Sequence, residues 1–241
     1  VKEGAPCAPS FVKTEMAVCL REHLYYCQAG GRVVLMDLER DSYFLLARDL
    51  ESIFLAHAAG HETQQVDRQR LAALDLLPNA ACERQLAVDC SVPPPARSAT
   101  EEPASPGQIR AAVVIEVAWI VLSTKRRLAT ENIATVIDRY RLPPRRAAEP
   151  LTFGNTTADD KRLIDAAHDY AAARRFVPAK PSCLLDTLAL RTFLARRRLT
   201  ASIVFGVSPA PFAAHAWLQS GDLVLNETVS YARMHTPILV V

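Results

Sequence analysis

The 241-residue sequence predicts an α+β fold, and three features predict it. Short β-prone runs between glycine or charged turns occupy residues 23–46, long helical periodicities occupy the middle of the chain, and three further strand-like runs follow residue 200. Strands and helices are segregated along the chain rather than alternating, which argues against a parallel βαβ sheet.

His23–Cys27, Val33–Asp37 and Ser42–Leu46 are separated by the turns Ala29-Gly30-Gly31 and Glu39-Arg40-Asp41, the pattern of a three-stranded meander. Asp49–Ala59 places Leu50, Ile53, Phe54 and Ala58 at helical spacing and stops at Gly60. Gln64–Leu77 repeats the pattern through Val66, Leu71 and Leu74 until Pro78. Between Ser91 and Gly107 prolines mix with Ser, Thr, Ala and Glu, a composition expected of an extended linker because proline carries no backbone donor. Domains are therefore expected at 1–90 and 108–241, joined by 91–107.

Gln108–Leu128, Glu131–Tyr140 and Ala158–Phe176 read as helices, with Pro143-Pro144 breaking the chain between the last two. Ser182 is a candidate N-cap for a helix running to about Arg198. Ala201–Val207, His215–Gln219 and Leu223–Asn226 read as strands, the last two joined by Ser220-Gly221-Asp222 as a hairpin.

Composition excludes several functions. A net charge of +2 is too small to predict a polyanion partner, so no nucleic acid is expected. The six cysteines, at 7, 19, 27, 82, 90 and 183, form no C-x-x-C pair, so neither a metal site nor a dense disulfide framework is expected. Reduced thiols fit a cytoplasmic protein, and Val1–Leu20 lacks the uninterrupted apolar stretch of a secretory signal. The most apolar run, Ala111–Leu122, contains Glu116 and falls well short of the roughly 20 residues that span a bilayer, so it reads as a buried helix and no membrane span is expected. His57 and His61 have the spacing of a metal pair, but Gly60 between them marks a helix end. Arg191, Arg196, Arg197 and Arg198 complement the end of the Ser182 helix and read as a solvated face.

The chemistry gathers in the last sixty residues or so. With Ser182 as N-cap, Cys183 is the first helical residue, where free N–H groups and the helix dipole favour a thiolate and could receive an oxyanion. His215 would be its base, oriented through its second ring nitrogen by Glu227, which the hairpin returns beside it. Asn226 or Asp222 could take that orienting role instead. By residue type alone a cysteine in a leucine-rich helix is a small buried hydrophobe, and the pattern leaves both readings open.

Pro181–Glu227 resembles the transglutaminase-like leader peptidases of lasso-peptide biosynthesis, the B proteins, through Cys183-Leu184, His215-Ala216-Trp217 and Asn226-Glu227. The resemblance implies a transglutaminase-like, papain-like domain with helices followed by an antiparallel sheet, and a cysteine endopeptidase with Cys183, His215 and Glu227 as its catalytic residues. Two positions depart from the family: Glu227 stands where Asp is usual, and Gln219 where Glu is frequent. Tyr25-Tyr26, Val33–Leu38 and Asp41–Leu46 resemble the PqqD-like, winged-helix-like element that binds leader peptides. This implies that a leader adds as a strand to the exposed sheet edge, with Tyr25, Val33, Leu35, Tyr43, Leu45 and Phe54 as its contacts. The implied partners are a ribosomally made precursor peptide and an ATP-dependent lasso cyclase. No covalently bound cofactor is expected. ATP enters only through the family, with the four arginines as the cations to meet a phosphate and no P-loop pattern beside them. An inactive escort of the precursor and a thiol acyltransferase are the other functions consistent with these residues.

Overall fold

The computed structural model describes residues 20–61, 63–78, 92–103, 109–141 and 157–241. Cys7, Cys19, Cys82, Cys90, the Pro143-Pro144 break and parts of the proline-rich segment lie outside them. In chain order come β1 (Leu24–Ala29), β2 (Arg32–Asp37), β3 (Ser42–Leu45), α1 (Arg48–Ala58) and α2 (Gln65–Ala73). After these follow β4 (Arg97–Ser98), α3 (Ala111–Thr130), α4 (Ile133–Asp138), α5 (Thr157–Arg174) and α6 (Cys183–Ala195). The chain closes with β5 (Ser202–Pro209), β6 (Phe212–Ser220), β7 (Leu223–Val224), α7 (Val229–Arg233) and β8 (Thr236–Val240). The fold is α+β, as expected. The described residues form two compact units, one of residues 20–22 and 47–78, the other of His23–Leu46 and residues 92–241.

The small unit is a helix pair around Phe54, Ala58, Leu71 and Leu76, all buried. Gly60, at φ +72°, ends α1: its N–H bonds the His57 carbonyl and the His61 N–H bonds that of Ala56, a left-handed cap that glycine adopts without strain. His57 and His61 therefore mark a helix terminus. Arg21 secures the first residues by donating from its backbone to Leu76 O at 3.0 Å and from Nε to Asp75 O at 3.1 Å.

In the larger unit β1, β2 and β3 form the expected antiparallel meander, with Leu35 opposite Phe44 and Met36 opposite Tyr43. Central β2 is buried on both faces from Val33 to Asp37. β3 pairs only with β2, so its other edge is open among the described residues. This sheet packs through β1 on β8, and Tyr25, Val34 and Met36 share a core with α3, α5 and α6. Polar contacts hold it as well: Asn132 Nδ2 donates to Glu39 O at 2.9 Å, and the Arg141 guanidinium contacts both the Tyr25 hydroxyl and its ring.

The second sheet has the order β4-β7-β6-β5-β8, parallel only between β4 and β7. α6 lies across it, between β6 and the helices α3 and α5, with Leu188, Leu190, Phe193 and Leu194 buried. The proline-rich segment contributes structure where a bare linker was expected. Its non-proline residues supply donors, Ala96 N–H to Asp222 O at 2.9 Å and Ala99 N–H to Val224 O at 2.8 Å, and so add β4 to the sheet edge. α7 and β8 were not anticipated either; a five-residue helix is too short to show a period.

A candidate thiol site

Cys183 is the first residue of α6, and its thiol is free and exposed. Ser182 occupies the N-cap with extended backbone, but its hydroxyl makes no capping bond. Asp186 organises this turn in its place. One oxygen accepts the Ser182 N–H at 3.2 Å and the other accepts Arg174 Nε at 2.6 Å. Arg174 also donates to Val177 O and Ala179 O, pinning the loop that leads into Cys183. The pair is mostly buried, so the charge-assisted bonds are little screened.

His215 lies on β6 with Nε2 3.1 Å from Glu227 Oε2. The other oxygen of Glu227 accepts the Thr228 N–H at 2.9 Å. The Glu227 carbonyl is held in turn by the hydroxyls of Ser98, at 2.6 Å, and Thr100, at 3.2 Å. β4 and its flank thus fix the acid's backbone. Glu227 is within ion-pair distance of Nε2 without the alignment of a hydrogen bond, which leaves Nδ1 as the imidazole's base atom. Burial pushes the His215 pKa below its usual 6.5, Glu227 opposes this, and neighbouring His235 adds to it. The ring stacks near Trp217, with centroids 6.1 Å apart, and meets Tyr231 edge-on at 4.9 Å.

Thr187, one turn beyond Cys183, joins the two halves. Its hydroxyl donates to Ala216 O at 2.9 Å and accepts from Asn226 Nδ2 at 3.0 Å, while Asn226 Oδ1 takes the Leu218 N–H at 2.8 Å. Asn226 is thereby committed to the sheet, and Asp222 to Arg97 at 3.1 Å, so of the three candidate partners it is Glu227 that meets His215. The structure brings His215 and Glu227 together; no hydrogen bond joins Cys183 to His215. α6 packs on the Ala216 and Leu218 face of β6, whereas His215 shares the Trp217 face. Gln219, the other departure from the family, is buried, accepting from Trp217 Nε1 and donating to Pro93 O and Gly221 O. A carboxylate there could not make the two donations.

Of the residues expected to contact a leader, Tyr25, Val33, Leu35 and Phe54 are buried, Phe54 in the small unit. Leu45 is 41% exposed on β3. Tyr43, half-buried on the same strand, lies 5.9 Å from the Phe212 ring. Burial, with the charges of Asp41 and Cys183, pushes the Tyr43 hydroxyl up to about 12, so it remains a hydrogen-bond donor at neutral pH close to the thiol.

The four arginines do not form one solvated face, although Arg198 is exposed. Arg191 is buried rather than solvated, and Arg196 and Arg197 are both ion-paired with Glu116, at 2.7 and 2.9 Å. Among the described residues no His, Cys, Asp and Glu group could hold a metal, and no helix is long and apolar enough to cross a membrane.

A family model described as the transglutaminase-like superfamily matches residues 127–240, a segment containing Cys183, His215 and Glu227. The C-terminal part of the chain is thus a transglutaminase-like domain, of a superfamily that includes cysteine proteases and acyltransferases. No curated protein and no solved structure matches the chain significantly.

Sequence reasoning missed Arg174, Asp186, Thr187, Ser98, Thr100, Tyr231 and His235. Asp186 in the first turn of a helix opened by Ser182 was the one readable signal, since an acid there answers exposed N–H groups.

Proposed function

We propose that the protein is a bacterial, cytoplasmic leader peptidase of lasso-peptide maturation. Residues 1–90 would recognise the leader, 108–241 would cleave it, and 91–107 would join them through the docked strand β4. The observation that carries the reading is the His215–Glu227 pair in the same transglutaminase-like segment as the exposed Cys183 that opens α6.

The leader adds as a strand along the open edge of β3, main chain to main chain, with Leu45 and Tyr43 facing it. Tyr43 carries that edge towards the thiol. The Cys183 sulfur attacks the scissile carbonyl as its proton passes to His215 Nδ1, and the oxyanion faces the free N–H groups of the first turn of α6. The amide C–N bond breaks, His215 returns the proton to the departing core amine, and water hydrolyses the thioester, releasing the leader carboxylate and restoring the thiol. Glu227 holds the ring and offsets its positive charge. Because α6 packs on the Ala216 face of β6 and His215 lies on the Trp217 face, this transfer requires the thiol and the imidazole to move together when substrate binds. The freed amine is the group that an ATP-dependent cyclase would couple, and that cyclase is the proposed partner; no step is assigned to ATP on this chain.

The test is to incubate the purified protein with a precursor encoded beside its gene and weigh the products. Two fragments summing to the precursor plus one water, absent with Cys183→Ala although leader binding persists, are expected. Undiminished cleavage by Cys183→Ala overturns the mechanism, and a cross-linked product identifies an acyltransferase. An unchanged precursor identifies the escort, the reading favoured by the missing Cys183–His215 hydrogen bond.

A further inference from the structure

Two histidines, not one, occupy the wall of the site. His235, which follows α7 and precedes β8, is 5% exposed, and its ring centroid lies 5.5 Å from that of His215 and 4.9 Å from that of Tyr231. Its Nδ1 is 2.9 Å from the Tyr231 carbonyl. A carbonyl only accepts, so Nδ1 carries the proton and the lone pair sits on Nε2. That Nε2 is buried without a hydrogen-bond partner among the described residues, a position that costs stability unless it has a use. The fold makes room for the ring: a Cβ on Gly206, the residue opposite His215 in the β5–β6 ladder, would lie 2.7 Å from the Trp217 ring and 2.9 Å from His235 Cβ. Any side chain there would push Trp217 and His235 apart.

We propose that His235 is a positioning residue for His215, closing an aromatic box with Trp217 and Tyr231 that fixes the plane of the His215 ring. The inference rests on the reading of His215 as the proton acceptor. The titratable groups facing the pair are Glu227, on His215, and Tyr231, against both rings; β5 places Gly206 opposite His215. Burial holds the His215 pKa below its ordinary value and His235 adds to that, so His215 stays uncharged and able to accept the thiol proton in mildly acidic solution.

The test compares wild type with His235→Asn, which can still donate to the Tyr231 carbonyl, and His235→Phe, which keeps a ring but neither bond nor titration. NMR titration of the His215 ring needs no substrate and should show the midpoint moving to higher pH in both variants, with melting lowered chiefly in His235→Phe. Precursor cleavage should then fall in both, roughly tenfold in kcat/KM at pH 6, and little at pH 8. An unmoved His215 midpoint in His235→Asn overturns the inference, as does a loss of rate that follows melting temperature and is equal at both pH values. A wild type that cuts no precursor but shows the shifted midpoints would leave the histidine pair standing and remove the peptidase reading.

Discussion

The two sheets of the larger unit present opposite materials. The β1–β3 sheet buries nearly all of central β2 and leaves the backbone edge of β3 open among the described residues, whereas the five-stranded sheet carries His215 on β6 and is followed by Glu227 just after β7. A surface that recognises through its main chain needs no particular residues, only an unpaired edge. A surface that moves protons needs specific residues at fixed distances. The five-stranded sheet therefore announces its chemistry in its residue types and the meander does not.

The largest effect is expected at Glu227. Glu227→Ala should lower kcat by about 10²- to 10⁴-fold with leader affinity unchanged, as loss of a histidine's orienting group does. Glu227→Asp should keep most activity, and a variant far worse than Ala would mean that another residue orients His215. On the first sheet the contrast lies between two leucines. Leu35→Ala should cost about 2–5 kcal/mol in urea unfolding, because that side chain is fully buried on β2. Leu45→Ala should change stability by less than about 0.5 kcal/mol yet weaken leader binding measured by calorimetry. Unaltered leader binding in Leu45→Ala would move recognition away from this edge.

The smallest effect is on pH. The folded pKa of His215 lies below its ordinary 6.5, so between those values the unfolded chain binds the extra proton and stability is lost as pH falls. Unfolding followed from pH 8 downward should show this loss beginning near pH 6.5 in wild type and diminished in His215→Gln. The acid limb of cleavage should also lie below that point.

How far the sequence could be read follows from the same contrast. Glycine and charged turns mark the meander, and the hairpin after Gln219 returns Glu227 beside His215, so the fold class and the contact between these two side chains are legible. Alternation along β2 could not show that Val33 and Leu35 are buried as fully as Val34 and Met36, because burial on a second face depends on what packs there. The anchors of the site, Thr187 on the Ala216 carbonyl, Arg174 on Asp186 and the two hydroxyls on Glu227, are common residue types whose role depends on distant partners. His235 carries no motif of its own and gains meaning only from the ring beside it.

The proposed cleavage requires Cys183 and His215 to act together. Alkylation of Cys183 by iodoacetamide, followed at pH 7 by mass spectrometry of the Cys183 peptide, tests this without any substrate. Modification should slow on the order of tenfold in His215→Ala, because the imidazole no longer draws off the thiol proton. Equal rates in wild type and variant would contradict a shared site and leave Cys183 and the His215–Glu227 pair as separate features of the fold.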